Sequence, residues 1–170
     1  MSAGSVPPGA PRRCVVIGIG NDLRHDDGFG PAVVQLLREE GTVGAEVTLA
    51  VTDGEPTGLI DLWTGADVAV VIDAVLSPTD PPGYCHELRC EEAAGLTAAT
   101  ASSHSVSLGS TVQLARALDR LPRVLVVLAV VGRDFGYGPG LSALVASAVP
   151  AAARRAVELV TASVDHQLRG

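Results

Sequence analysis

The chain has 170 residues and a formal charge of −7; 47% of its residues are hydrophobic, yet only 3% are aromatic. That length suits one domain, and the shortage of aromatics leaves Val, Leu, Ile and Ala to fill a core of the kind found around a buried parallel sheet. An acidic balance with no Lys/Arg stripe argues against a nucleic-acid surface. No apolar run approaches the roughly 20 residues of a membrane-spanning helix.

The first 13 residues, MSAGSVPPGAPRR, lack the apolar segment of a signal peptide and read as a disordered tail, leaving 14–170 as a single domain. CVVIGI (14–19) is a short β-branched run and predicts a buried strand. A helix over 30–40 follows, with Phe29, Val33, Leu36 and Leu37 on one face and Gly41 at its end. EVTLAV (46–51) predicts a second strand, and 56–63 a short helix. DVAVVIDAV (67–75) is the most apolar strand and carries one acid, Asp73. YCHELRC (84–90) alternates like an edge strand. A small-residue loop then leads to a helix over 105–120, with Leu108, Val112, Ala115 and Leu118 on one face. RVLVVLAVVG (123–132) predicts a fifth strand, followed by the glycine-rich GRDFGYGPG. The remainder, 142–168, is expected to be helical, with Pro150 restarting the helix as a first-turn residue. This alternation predicts one α/β domain with a mainly parallel sheet. Ligands of such sheets bind outside the carboxyl ends of the strands, near the switch in strand order.

The turn after the first strand is not a dinucleotide site. Gly18 and Gly20 are followed by Leu23 where a third glycine belongs, and two acids beside the turn would repel a pyrophosphate. A Walker loop, a Gly-x-Ser-x-Gly elbow and a His-Glu-x-x-His pair are all missing. Of the adjacent Asp26 and Asp27, one is expected to cap the following helix while the other faces the cleft. Asp73 is costly inside an apolar strand unless it is paired or bound to a cation. His104 lies where a helix begins. Two carboxylates and an imidazole from three loops make a mixed oxygen/nitrogen metal site with open positions. His25 remains an alternative ligand; His86 and His166 read as surface. Cys14, Cys85 and Cys90 form neither a Cys-x-x-Cys pair nor a repeated spacing, so a disulfide scaffold is not expected and a cytoplasmic setting fits.

GIGNDLRHDDGFG, DGEPTGLIDL, VVIDAVLS and SSHSVSLGS, in this order, closely resemble the hydrogenase maturation endopeptidases. The resemblance runs from about Cys14 to the final helix. It implies a three-layer α/β/α sandwich around a five-stranded, mainly parallel sheet with one antiparallel edge strand, YCHELRC. It also implies removal of a C-terminal extension from the precursor of the nickel-iron hydrogenase large subunit. Asp27, Asp73 and His104 would then form the catalytic and nickel-recognition site. The nickel would come with the substrate, and the resting enzyme would hold no metal. Gly20 and Asn21 belong to the turn, Asp26 is expected to stabilise that turn and the helix start, and Asp53 has a structural or substrate-binding role. Two other readings use the same residues: a self-sufficient zinc-type peptidase, and a noncatalytic nickel-binding assembly factor.

Overall fold

The computed structural model describes residues 11–95 and 105–165. Cys14–Ile19 has no polar face, and it forms β1, buried along its whole length. The alternation then proceeds through α1 (Phe29–Glu40), β2 (Val47–Thr52), α2 (Pro56–Trp63), β3 (Val68–Val75), β4 (Cys85–Arg89), α3 (Cys90–Ala94), α4 (Ser105–Ala117), β5 (Val124–Val131) and α5 (Ala143–Asp165). The five strands lie in the order β2-β1-β3-β5-β4. All pairs are parallel except β4 with β5, so the edge strand expected at YCHELRC is the antiparallel one. The chain leaves β1 toward β2 on one side and returns to β3 on the other, which puts the switch point between β1 and β3.

Side-chain alternation along the strands splits the core in two. Val16, Val70, Ile72 and Val126 pack with Phe29, Val33 and Leu37 of α1 and with Ala153 and Ala156 of α5. Val15, Ile17, Val71 and Val127 pack with Leu59 and Trp63 of α2 and with Leu108 and Val112 of α4. Asp73 belongs to the second set by register, so its side chain lies on the α4 face at the carboxyl end of β3. α4 runs back toward the amino end of β5, and Ser105, where it begins, is therefore at the same rim.

Three expectations are corrected. Leu118 is not on the buried face of α4. The helix ends at Ala117, Asp119 takes a left-handed φ of 55° to reverse the chain, and Leu118 is half exposed. Pro150 does not restart a helix; it lies inside the continuous α5 on the water-facing side, where the C=O left without its N–H partner can be solvated. Arg13, the last residue of the expected tail, is fastened to the base of the sheet. Its N–H donates to Asp67 Oδ2 (3.0 Å), its C=O accepts from Asp67 N (2.8 Å), and its guanidinium reaches the Thr64 carbonyl. Residues 1–10 lie outside the described residues, as does the part of the last helix expected beyond Asp165. The short α3, directly after β4, carried no periodic signal.

α1 starts close against the sheet because residue 30 has no side chain. A Cβ on Gly30 would sit 2.5 Å from the Ile72 carbonyl oxygen and 2.6 Å from that of Ile19, both of them backbone. Gly30→Ala is therefore expected to lower the urea midpoint, with a loss of about 1–3 kcal/mol or more. An unchanged midpoint would show that α1 can lift from β1 and β3 at no cost.

Candidate functional site

At the end of β1 the chain turns through Gly20 at φ +139°, where an added Cβ would run into the Asp27 carbonyl oxygen. Only glycine allows the turn to close on residue 27. Gly20 N–H donates to Thr52 O (3.0 Å), fixing the turn to β2. Asn21 organises the rest. Its backbone N–H donates to Asp27 Oδ2 (2.9 Å), its side-chain oxygen accepts from Leu23 N (2.9 Å), and its C=O accepts from Arg24 N (3.1 Å). A single 3-10 turn, His25–Gly28, then delivers both acids to the interior, where Asp26 and Asp27 are buried.

The two neighbours point to different partners. Asp26 stabilises the turn, as expected, but makes no cap bond to α1; its carboxylate clamps the loop between β5 and α5. Its Oδ2 accepts from Arg133 N (2.7 Å), Asp134 N (2.9 Å) and Ser142 Oγ (2.9 Å), and its Oδ1 from Ser142 N (2.7 Å). Burial alone would push this carboxyl up, but the N–H groups of Arg133, Asp134 and Ser142 and the Ser142 hydroxyl outweigh it and hold it below the usual range. Main-chain bonds extend the clamp: Asp26 N to Asp134 O, His25 N to Gly138 O, and Gly138 N to Leu23 O, each 2.9 Å. The glycine-rich loop is thus sewn to the turn that carries Asp27. Nothing local in the sequence could reveal this, since the partners lie 107 to 116 residues apart.

Asp73 is wholly buried on β3. Its Oδ1 accepts from Ala74 N (2.8 Å), and its Oδ2 has no hydrogen-bond partner among the described residues. Burial pushes its carboxyl well up; the Ala74 N–H opposes that, and the charge of Asp27 adds to it. The structure therefore brings two of the three expected ligands, Asp27 and Asp73, within electrostatic reach of each other at the switch point. A buried acid with an oxygen that has no partner among the described residues, close to a second buried carboxylate, fits a cation. The third expected ligand, His104, lies outside the described residues. Among the described residues no three His, Cys, Asp or Glu side chains form a metal cluster.

The other candidates lie elsewhere. His25, at φ +45°, turns its ring to the clamped loop, with Nδ1 3.1 Å from Gly140 O and Nε2 3.9 Å from Asp134 Oδ2. His86 sits on the edge strand, its Nε2 3.0 Å from Asp80 Oδ2. His166 is outside the described residues. Asp53 shapes the turn into α2: its Oδ1 accepts from Glu55 N (3.0 Å), and Glu55 caps the helix through Thr57 N and Gly58 N. A cleft of about 560 Å³ opens beside the turn. Asp22, His25, Gly28 and Arg38 line it, whereas Asp27 and Asp73 do not.

Comparison with known proteins agrees on one family. The model of the hydrogenase maturation protease family HycI matches residues 31–159. The hydrogenase 2 maturation protease of Escherichia coli strain K12 is 26% identical over 143 residues, 81% of this chain and 86% of that protein. The hydrogenase expression/formation protein HupD of Thiocapsa roseopersicina is 34% identical over 119 residues, 68% of this chain and 52% of that protein. The structure of the hydrogenase maturating endopeptidase HybD from E. coli superposes with a TM-score of 0.72 at 24% identity, over 91% of this chain and 93% of that one, a likeness of fold.

The clamp and the buried acid have opposite pH signatures. Asp26→Asn is expected to cost about 1–3 kcal/mol at neutral pH, since an amide cannot accept all four bonds. Because the folded carboxyl titrates below its unfolded value of about 3.9, that contribution is present above about pH 4 and lost as pH falls through the folded value. Equal melting temperatures for variant and wild type at pH 7 would count against the clamp. Asp73 titrates above its unfolded value, so the wild type loses stability as pH rises through the folded one. Asp73→Asn is expected to gain on the wild type as pH rises, read by thermal melting in chelator. A constant difference would contradict the burial of a charged group there.

Proposed function

Because this chain belongs to the hydrogenase maturation protease family, and is a hydrolase of that kind, we propose that it removes the C-terminal extension of a nickel-iron hydrogenase large-subunit precursor after nickel insertion. The observation that carries this reading is the Asp73 carboxylate, buried in the sheet with an oxygen lacking a partner among the described residues, beside Asp27. A purely structural acid would have both oxygens satisfied. In this reading Asp27, Asp73 and His104 receive the nickel that the precursor already holds. That contact fixes the neighbouring peptide bond, and positioning alone can supply several kcal/mol of the barrier, up to about 7–11 in ideal geometry.

The hydrolysis needs one proton transferred from water and one delivered to the departing amine. A carboxylate whose pKa is raised by burial suits both steps. Whichever of Asp27 and Asp73 is not a metal ligand at that moment takes a proton as water attacks the scissile carbonyl and returns it to the amide nitrogen as the C–N bond breaks. The other carboxylate holds charge opposite the metal meanwhile. A resting enzyme without its own metal would make the precursor's nickel the signal that insertion is complete. The cytoplasm is the proposed setting, consistent with three free thiols at Cys14, Cys85 and Cys90. No helix among the described residues is long and apolar enough to cross a membrane.

Intact-mass measurement of nickel-loaded and nickel-free precursor tests the reading. Loss of a C-terminal peptide from the loaded form alone is expected. Asp27→Asn, Asp73→Asn and His104→Ala are each expected to lower kcat/KM by about 10²-fold or more. Equal cleavage of both forms would remove the nickel check. Binding without any mass change would replace the protease reading with that of an assembly factor, and stoichiometric zinc in the purified protein with activity on short peptides would replace it with that of a zinc peptidase.

A further inference from the structure

β2 is an edge of the sheet, and its Val51 lines the cleft. Cys14 N–H bonds Glu46 O and Gly20 N–H bonds Thr52 O. In a strand the direction of N–H and C=O alternates from one residue to the next, so residues 46, 48, 50 and 52 face β1, and 47, 49 and 51 face outward. Val47 N–H is used by Gly44 O, and Leu49 O by Arg38 Nη2 (3.2 Å). Leu49 N–H and both main-chain groups of Val51 face the open side, where no described strand pairs with them. Val51 is 43% exposed, and it lines the cleft together with Gln35 and Arg38 of α1. Edge strands with open groups are usually blunted by Lys or Pro; β2, VTLAVT, has neither.

The cleft carries a charge gradient. Asp22 lies at the end next to the site, and Arg38 lies toward the far end of α1. From Pro31 to Arg38 the helix rises about 10 Å, the length of about three residues of extended chain. We propose that this edge and cleft hold the segment of the precursor just downstream of the cleaved bond, added to β2 as a sixth, antiparallel strand. The segment bonds both main-chain groups of Val51 and the N–H of Leu49, in the manner of strand addition. It leaves the Gly20–Gly28 turn and runs opposite to β2, and a carboxylate three to four residues along, from a side chain or the chain end, meets the Arg38 guanidinium. Arg38 supplies the charge complementarity that sets this direction. The inference rests on the protease reading above, and it assigns the binding of the departing segment to residues outside the Asp27–Asp73 site.

Two variants test it with the full-length chain and the nickel-loaded precursor, followed by intact mass. Val51→Pro removes an outward N–H and spares the ladder to β1, a place where an edge strand accepts proline. Arg38→Glu, on an exposed helix face, reverses the charge and keeps the assay interpretable if the proline variant fails to fold. Both are expected to raise KM about tenfold with kcat nearly unchanged, and Arg38→Lys to recover part of the loss. Wild-type kinetics in the folded variants would overturn the groove and leave the protease reading standing. A wild-type protein that never cleaves the loaded precursor would overturn the protease reading instead. The groove is then read by amide exchange in the bound complex. Protection of Leu49 and Val51 that disappears when the precursor lacks its C-terminal extension supports it, and protection that is absent or independent of the extension overturns it.

Discussion

Asp27 and Asp73 meet at the rim of one sheet, and the structure around them holds the two carboxylates together against their own repulsion. Asp73 is delivered by β3, whose other inward residues are aliphatic, so it has no water to fall back on. Asp27 is delivered by a turn that only Gly20 can close and that Asn21 pins from the backbone side. The Asp26 carboxylate adds bonds to the opposite loop at Arg133, Asp134 and Ser142 to the main-chain bonds that already hold the turn there. Neighbouring residues thus divide the work: one carboxylate is spent on rigidity, and the other is held by Asn21 within electrostatic reach of Asp73.

This division is the usual relation between a site and its scaffold. A buried acid pair destabilises the fold that contains it. The opposing gains are local and identifiable: four charge-assisted hydrogen bonds on Asp26, the close approach of α1 through Gly30, and two apolar layers on either face of the sheet. The site lies at the switch point because there the loops after β1 and β3 diverge, leaving a gap that a ligand can enter. The open edge of β2 lies on the other side of β1 and borders a separate cleft, which reaches back to Asp22, His25 and Gly28 of the turn that carries Asp27.

Much of this was legible in the sequence because it depends on short-range pattern. β1 and α2 fall on the residues expected, since one is a β-branched run ending at a glycine and the other begins with Glu-Pro and ends at a turn glycine. The edge strand at Cys85–Arg89 follows its alternation, and its antiparallel sense was what the family resemblance implied. Asp73 stood out because a charge inside an apolar strand demands a reason. What failed to show was long-range or opposed by local preference. Asp26 looked like a helix cap because caps are local, whereas its true partners are more than a hundred residues away. Leu118 matched the helical period, but the left-handed Asp119 ended the turn before that period could matter. Pro150 looked like a break, yet the alanine-rich face of α5 packs on the sheet firmly enough to carry the helix through it.

The central claim is that Asp73 is a strained, charge-averse carboxyl made ready for a cation. Carbon-13 NMR of the labelled carboxyl, titrated in the absence of metal and again with divalent nickel, tests it most directly. The account predicts a pKa well above the ordinary carboxylate range in the metal-free protein, and a marked fall when nickel is added. An ordinary value unaffected by nickel would contradict it, and would return Asp73 to the role of a structural residue.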